Sequence, residues 1–259
     1  MRKLVTDSGL VFARSLRAAR RQAAVVFVAP TLLATAIVLL FDGLYGTIAQ
    51  VEEYPGDFID WVAPAAVILS VFLGAGLTAA SLISDLRSGY VDRLRLLSIV
   101  PASMIAGRAA FDALRAIPPA AAVFGVSLLL GADHHGGPAG FLVLLALCCA
   151  LAVAWNGIFY AAALLTVNPA VIQGLQPVTF MPAVMFSTFW VPTALMPAWH
   201  RWISDHNPTT PIIDTGRSIM FGATDEGRLV TAALVLLSLA ALTYSLAGLR
   251  LARLLRAPP

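Results

Sequence analysis

From Gly136 to Trp199 the chain runs for sixty-four residues without one Asp, Glu, Lys, Arg or His. A water-soluble domain carries about 25% charged residues along its length, so this stretch belongs in lipid. One membrane crossing takes about 20 apolar residues, so the stretch suits two crossings. Asn168-Pro169 and the segment 173–177, Gln-Gly-Leu-Gln-Pro, interrupt it with turn-forming residues. The whole chain is 59% hydrophobic and 12% charged, which extends the argument beyond this stretch.

Four more apolar runs complete the pattern. They are 22–41, 61–84, 116–132 with Ala109 to Phe111 extending it, and 229–249. The expectation is an all-α membrane protein with six transmembrane helices in one domain over 1–259. Helical periodicity adds little, because a lipid-facing helix is apolar all round.

Lys and Arg set the orientation. Fourteen of the 17 lie in an N-terminal arm (1–22), in the segment joining the second and third runs, and after the last run. Only Arg201, Arg217 and Arg228 fall on the other side, where Asp42, Glu52, Glu53, Asp57 and Asp60 gather in the first loop. Both termini are therefore expected in the cytoplasm of a multi-pass protein. Sixteen of the 17 basic residues are Arg, and Ala is abundant, which reads as GC-rich bacterial coding and hence a bacterial inner membrane. The net charge of +3 does not point to nucleic acid, since the basic residues sit where a membrane protein keeps its cytoplasmic charge. The first apolar run is too long for the core of a cleaved signal peptide and reads as a retained helix. Ahead of it, residues 8–22 form an amphipathic basic helix on the inner leaflet, with Leu10, Val11 and Phe12 toward lipid and Arg14, Arg17 and Arg21 at the head groups. A plain topology signal fits the same residues.

Two segments do more than span. Residues 84–101 mix charges of both signs with leucines. Asp92 and Arg95 share a helical face, Leu94, Leu97 and Ile99 leave an apolar side, Gly89 permits a bend, and Pro101 limits the helix. An exposed amphipathic helix that docks a soluble partner and an ordinary solvated loop fit this stretch equally. Residues 187–208 carry Pro192, Pro197 and Pro208 with Trp190, Trp199 and Trp202. Prolines break a spanning helix and tryptophans favour the interface, so 192–222 reads as a non-spanning outer-face segment of short helices dipping into the leaflet. Asn207 starts a turn there, and Arg217 stays near the head groups.

The order of these segments resembles the permease subunit of type-2 ABC exporters, near the daunorubicin-resistance permeases. The resemblance rests on Asp85, Gly89, Arg93-Leu94 and Pro101, followed by Gly107-Arg108. After the fifth span it rests on Ser187 to Pro192, Met196-Pro197, Asn207-Pro208 and Arg217. Many family members carry Glu where Asp85 stands. The resemblance implies that 84–101 is a coupling helix seated in a cytoplasmic ATP-binding cassette subunit, with Asp85, Arg87, Gly89, Asp92, Arg93 and Arg95 at the contact. It implies that the arm braces the same subunit. It also implies that two permease chains, identical or sister, enclose a path between spans two and five.

The chain's own chemistry agrees with a subunit that does no catalysis. A Walker A loop needs a lysine on the nucleotide phosphates, and the only lysine is Lys3, so ATP and Mg are expected on a partner and no cofactor on this chain. Asp112 lies at the inner end of span three, on one helical face with Arg108 and Arg115, and reads as part of a structural pair near the head groups rather than a proton relay. His134-His135 alone make no complete metal site. Cys148 and Cys149 read as small buried hydrophobes. No serine has His and Asp companions at useful spacing. Polar side chains within the apolar runs, above all Thr78, Asn156, Gln176 and Thr179, are candidates for a translocation path; interhelical hydrogen bonding explains such residues as well. The reading is the permease subunit of an ATP-driven exporter of hydrophobic or amphipathic compounds, drug-like molecules or lipids. A non-transporting membrane anchor for a soluble partner, or an ion-coupled carrier, stands as the alternative.

Overall fold

The computed structural model describes residues 2–45, 57–88, 101–223 and 225–256. Among them all regular structure is helical. Helix α1 (Arg2–Arg21) leads through a π-helical turn (Ala24–Val28) into α2 (Ala29–Tyr45). The second apolar run forms two helices, α3 (Phe58–Leu73) and α4 (Leu77–Arg87). Then come α5 (Pro101–Leu129), α6 (Gly137–Thr166) and the shorter α7 (Pro169–Met185). Two short helices, α8 (Ala198–His206) and α9 (Thr210–Met220), precede the long α10 (Glu226–Arg256).

Among the described residues five stretches are long and apolar enough to cross a membrane: Ala24–Tyr45, Phe58–Arg87, Ala102–Leu129, Gly137–Thr166 and Glu226–Leu254. The sixth expected span is α7, whose 17 residues make about 25 Å of helix against a hydrocarbon core of roughly 30 Å.

The uncharged run divides at Asn168-Pro169. Val167 turns left-handed (φ 47°), Asn168 Oδ1 accepts the Ala170 N–H at 3.0 Å, and Pro169 opens α7, where its missing N–H costs nothing. The second expected interruption, 173–177, is not one, because α7 runs through it. Pro177 removes a single backbone donor, the one that would serve the Gln173 carbonyl, and the helix runs on to Met185. Helix α5 also starts well before residue 116, since Arg108, Asp112 and Arg115 find partners inside the bundle and do not end the helix.

Helix α3 is the centre of the bundle, with 14 of its 16 residues buried. Of the apolar window in Phe58–Arg87, 78% is buried, against 17% for Glu226–Leu254. Span two is thus apolar all round because protein covers it, whereas most of the last span faces out of the bundle. Helices α6 and α10 cross closely at Gly157, where a Cβ would collide with Thr243, and Tyr244 Oη donates to the Val153 carbonyl at 3.1 Å.

Cross-links define the two ends of the bundle. At one, the Asp133 N–H donates to Asp60 Oδ1 (2.7 Å), the His135 N–H to the Met220 carbonyl (2.8 Å), and Arg217 Nε to the Trp61 carbonyl (3.0 Å). At the other, Arg87 donates through Nε and Nη2 to the Val167 carbonyl at 3.1 and 2.9 Å. Helix α7 begins at the Val167 end. Its far end joins the segment whose Thr188 and Phe189 carbonyls hold Arg217.

Helix α9 packs against α3 and α6. A Cβ on Gly216 would lie 3.0 Å from Ile68 Cδ1 and 3.5 Å from Leu144 Cδ1, and one on Gly140 would lie 3.3 Å from Ile219 Cγ2. Arg217 in the last turns of α9 meets Trp61, and the start at Thr210 lies six residues, about 9 Å along the helix, from Gly216.

Helix α1 packs along α5. A Cβ on Gly107 would sit 2.5 Å from the Ser8 carbonyl oxygen and 2.7 Å from Val11 Cβ, so only glycine permits this approach. Val11 is buried there and Phe12 meets the Phe111 ring edge-on at 6.4 Å. Of the three residues assigned to lipid, Leu10 alone stays exposed.

Candidate functional site

The site grows from the break in span two. Helix α3 tightens into 3-10-type bonds, Gly74 N–H to the Val71 carbonyl and Ala75 N–H to the Phe72 carbonyl, and Gly76 then adopts φ +81°. Only glycine reaches that backbone conformation without strain. A break inside an apolar bundle leaves polar backbone groups without water, and they must find side chains. Asn156 on α6 accepts the Gly76 N–H through Oδ1 at 3.0 Å and anchors itself by Nδ2 on the Ala152 carbonyl at 2.9 Å. Gln176 on α7 reaches the Leu73 carbonyl with Nε2 at 3.4 Å.

One turn below the break lies a buried ionic cluster. Thr78 Oγ1 is 2.9 and 3.0 Å from the two carboxylate oxygens of Asp112, which is 0% exposed. Tyr160 Oη donates to Asp112 Oδ2 at 2.5 Å and lies 2.8 Å from Thr78 Oγ1. Arg115 Nη2 stands 3.4 Å from Asp112 Oδ1 and supplies the countercharge. Its guanidinium packs where a side chain on Gly74 would be, so the first glycine of the break makes room for the cation. An unpaired charge here would be severely penalised, and these contacts are what make the carboxylate tolerable.

The end of α4 carries a second ionic cluster. Arg14 grips Asp85 with both ends of its fork, Nη1 to Oδ2 at 2.7 Å and Nη2 to Oδ1 at 2.5 Å. Arg108 Nη2 donates to Asp85 Oδ2 as well, and its Nη1 donates to the Met104 carbonyl at 2.9 Å. Side chains on a helix lean toward its N-terminus, which carries Arg108 away from Asp112 and toward Asp85. The expected grouping of Arg108, Asp112 and Arg115 is thus divided between two clusters. Arg14, expected at the head groups, pairs with Asp85 while its side chain stays 43% exposed.

At the opposite end Arg217 is buried rather than interfacial. Its Nη2 donates to the Thr188 carbonyl at 2.5 Å and the Phe189 carbonyl at 2.9 Å, its Nη1 pairs with Asp214 at 3.0 Å, and its guanidinium lies 3.6 Å from the Trp61 ring centre. Thr188 Oγ1 donates to the same Asp214 oxygen at 2.6 Å. Asn207 does more than start a turn. Its Nδ2 faces the Pro182, Ala183 and Phe186 carbonyls at 3.3, 3.1 and 2.9 Å, while its Oδ1 accepts the Thr209 N–H at 3.0 Å. The turn between α8 and α9 is thereby fastened to the end of α7.

Of the residues assigned to a path, Thr78, Asn156 and Gln176 converge on the break, and Thr179 bonds within its own helix. Of those assigned to partner docking, Asp85 and Arg87 are engaged internally, and Gly89, Asp92, Arg93 and Arg95 lie outside the described residues. Sequence reasoning missed the break, although Gly-Ala-Gly inside an apolar run was its signal. It also missed Tyr160, whose hydroxyl had to find a partner in an apolar helix. Among the described residues no group of three His, Cys, Asp or Glu side chains is placed to hold a metal ion.

Comparison with known proteins bears on the same elements. The model of the family described as ABC-2 type transporter matches residues 8–221. The chain is also 25% identical over 177 residues to the probable doxorubicin resistance ABC transporter permease protein DrrC from two strains of Mycobacterium tuberculosis. That similarity covers 68% of this chain and 63% of the relative's length.

Proposed function

The chain belongs to the ABC-2 type transporter family, and from that premise we propose that it is the permease subunit of an ATP-driven exporter in a bacterial inner membrane. Its cargo is hydrophobic or amphipathic, a drug-like compound or a lipid. The relatives' printed name makes doxorubicin the first compound to test. ATP with Mg is hydrolysed on a separate cytoplasmic cassette subunit, since a chain whose only lysine is Lys3 offers no Walker lysine. A second permease, identical or sister, completes the path.

The observation that carries this reading is the buried, broken second span, whose last turn at Asp85 runs directly into the charged loop. A partner that moves the loop, through Asp85, Arg87, Gly89, Asp92, Arg93 and Arg95, moves α4, and Gly74–Gly76 lets α4 tilt against the fixed α3. The path passes the break, where Thr78, Asn156 and Gln176 supply polar groups, and continues past Thr179 on α7. Helix α7 is the sixth crossing on this reading. Its start at the Val167 end and its finish near Arg217 support that, and both termini then share the cytoplasmic side.

The test is co-purification with a cassette ATPase subunit in mild detergent, followed by ATPase activity with and without this chain. A stable complex whose activity changes with the chain, and changes again when Asp92→Arg and Arg93→Asp are introduced together, is expected. Failure to form a complex with any such subunit overturns the reading.

A further inference from the structure

A cavity of about 470 Å³ lies at the Trp61 end of the bundle, between α3, the segment after α7, α9 and the start of α10. Trp61, Thr188, Asp214, Arg217, Phe221 and Arg228 stand in its wall. Pockets for small molecules start at roughly 300 Å³, so there is room for a polar headgroup. The cavity lies apart from the break and from the clusters at Asp85 and Asp112.

The fold leaves charge of both signs available here. Among the described residues, every hydrogen bond that Asp214 accepts falls on Oδ1, from Thr188 Oγ1 at 2.6 Å and from Arg217 Nη1 at 3.0 Å. Both donors belong to buried residues, whereas the Asp214 side chain is 29% exposed. The exposed part is therefore the Oδ2 side, on the cavity that Asp214 lines. Arg228 stands 3.3 Å from Asp225 Oδ2 through Nε, and its side chain is 56% exposed. The two terminal nitrogens of its fork make no hydrogen bond to the described residues. One cavity thus offers a carboxylate oxygen that accepts and a guanidinium that donates. The first suits an ammonium, the second a phosphate.

The level of the cavity narrows the ligand further. Trp61 lies in the first turn of α3 and Arg228 in the first turn of α10, and both helices continue as stretches long and apolar enough to cross a membrane. The cavity therefore lies where hydrocarbon gives way to water. Arg201 on α8 donates to the Thr193 carbonyl in the cavity wall at 2.9 Å, and α8 exposes Trp199 and Trp202, as tryptophans are at headgroup level.

We propose that this cavity holds the zwitterionic headgroup of an ethanolamine phospholipid, with the ammonium on Asp214 Oδ2 and the phosphate on the Arg228 fork. The lipid is a bound component of the surrounding leaflet, so the site rests on the chain lying in a bilayer and not on the exporter reading. A choline headgroup has the charge but no N–H to donate, and a glycerol headgroup has no cation.

The full chain, purified in detergent and stripped of lipid, is titrated with palmitoyl-oleoyl phosphatidylethanolamine and with the choline and glycerol lipids of the same chains, and native mass spectrometry reads the bound fraction. The ethanolamine lipid is expected to bind about five- to tenfold more tightly than the other two. Asp214→Asn should bring the ethanolamine and choline lipids to one level. Arg228→Gln should weaken both about threefold and keep their order. It leaves α10 capped, because Asp225 Oδ1 still accepts the Gly227 N–H at 2.9 Å. Asp214→Asn also removes the Arg217 countercharge, so the unaltered chain with two lipids, and Arg228→Gln, decide the matter without it. Equal affinity of the unaltered chain for the ethanolamine and choline lipids, or binding that Arg228→Gln leaves unchanged, overturns the proposal. Glycerophosphoethanolamine carries the same zwitterion without acyl chains, and should compete only at about a hundredfold higher concentration, since the chains add buried apolar surface. Competition at the lipid's own concentration would make the ligand a soluble zwitterion and overturn the lipid assignment.

Discussion

Arg14 and Asp85, seventy-one residues apart, are joined by a two-pronged ion pair with contacts of 2.7 and 2.5 Å. The pair fastens α1 to the end of the broken second span. Arg108 holds the same carboxylate from α5 and is almost wholly buried, whereas the Arg14 side chain is 43% exposed. The two arginines should therefore behave differently. Arg14→Ala removes a part-exposed partner and costs at most about 1 kcal/mol. Asp85→Ala leaves Arg108 buried without a countercharge and costs about 3–5 kcal/mol. Heating in detergent followed by size-exclusion chromatography should rank Asp85→Ala well below Arg14→Ala. Equal midpoints would mean that Arg108 has another anion.

Gly107 sets how closely α1 approaches α5. Gly107→Leu places side-chain atoms where Ser8 and Val11 now sit and should detach the arm without preventing insertion of the spans. Limited proteolysis reads this directly, as faster cleavage after the arginines of 14–21 in the variant. An unchanged rate would show that α1 is held elsewhere.

At the break, Gly76→Ala forces a Cβ into a left-handed conformation and should cost about 1–2 kcal/mol. Asn156→Leu keeps the branched shape but leaves the Gly76 N–H unsatisfied, which costs about 1–3 kcal/mol. The two should be less than additive in a thermal-shift cycle, because both act on the same turn. Full additivity would mean that Asn156 does not support the break.

The Asp112–Arg115 pair offers a sharper cycle. Asp112→Asn alone strands a buried cation and should cost about 3–5 kcal/mol. Adding Arg115→Gln should restore most of that loss, since no unpaired charge remains. Tyr160→Phe removes a hydrogen bond to a charged group and should cost about 1.5–3 kcal/mol. A double variant no better than Asp112→Asn would assign the countercharge to another residue.

Arg217→Lys is not a conservative change. One ammonium cannot serve the Trp61, Thr188 and Phe189 carbonyls and Asp214 together, nor lie flat over the Trp61 ring. Cysteines introduced at Thr193 and Asp225 report the mobility of the segment: their maleimide labelling should quicken in Arg217→Lys. Identical rates would make Arg217 a bystander.

The sequence by itself determined that this chain lives in lipid as a helical bundle. Sixty-four consecutive uncharged residues admit no other solvent, and Asn168-Pro169 marks where that run divides, because local backbone chemistry sets the turn. It also contained the residues of the site, Thr78, Asn156, Gln176, Asp85 and Asp112, as polar groups in costly places. Their partners were not legible. Periodicity put Arg108 on one face with Asp112, but the side chain leans one turn back to Asp85, a choice made only once folding brings the end of α4 within reach of Arg108 on α5. Arg217 read as interfacial because a lone arginine near tryptophans usually is; the carbonyls that bury it come from residues 61, 188 and 189. Burial of α3 was equally hidden, since an apolar helix reads the same whether protein or lipid surrounds it. In an apolar solvent, composition fixes where the chain sits. Which polar groups meet is decided only when the helices pack, because each must find its partner within hydrogen-bond reach or bear the full cost of burial.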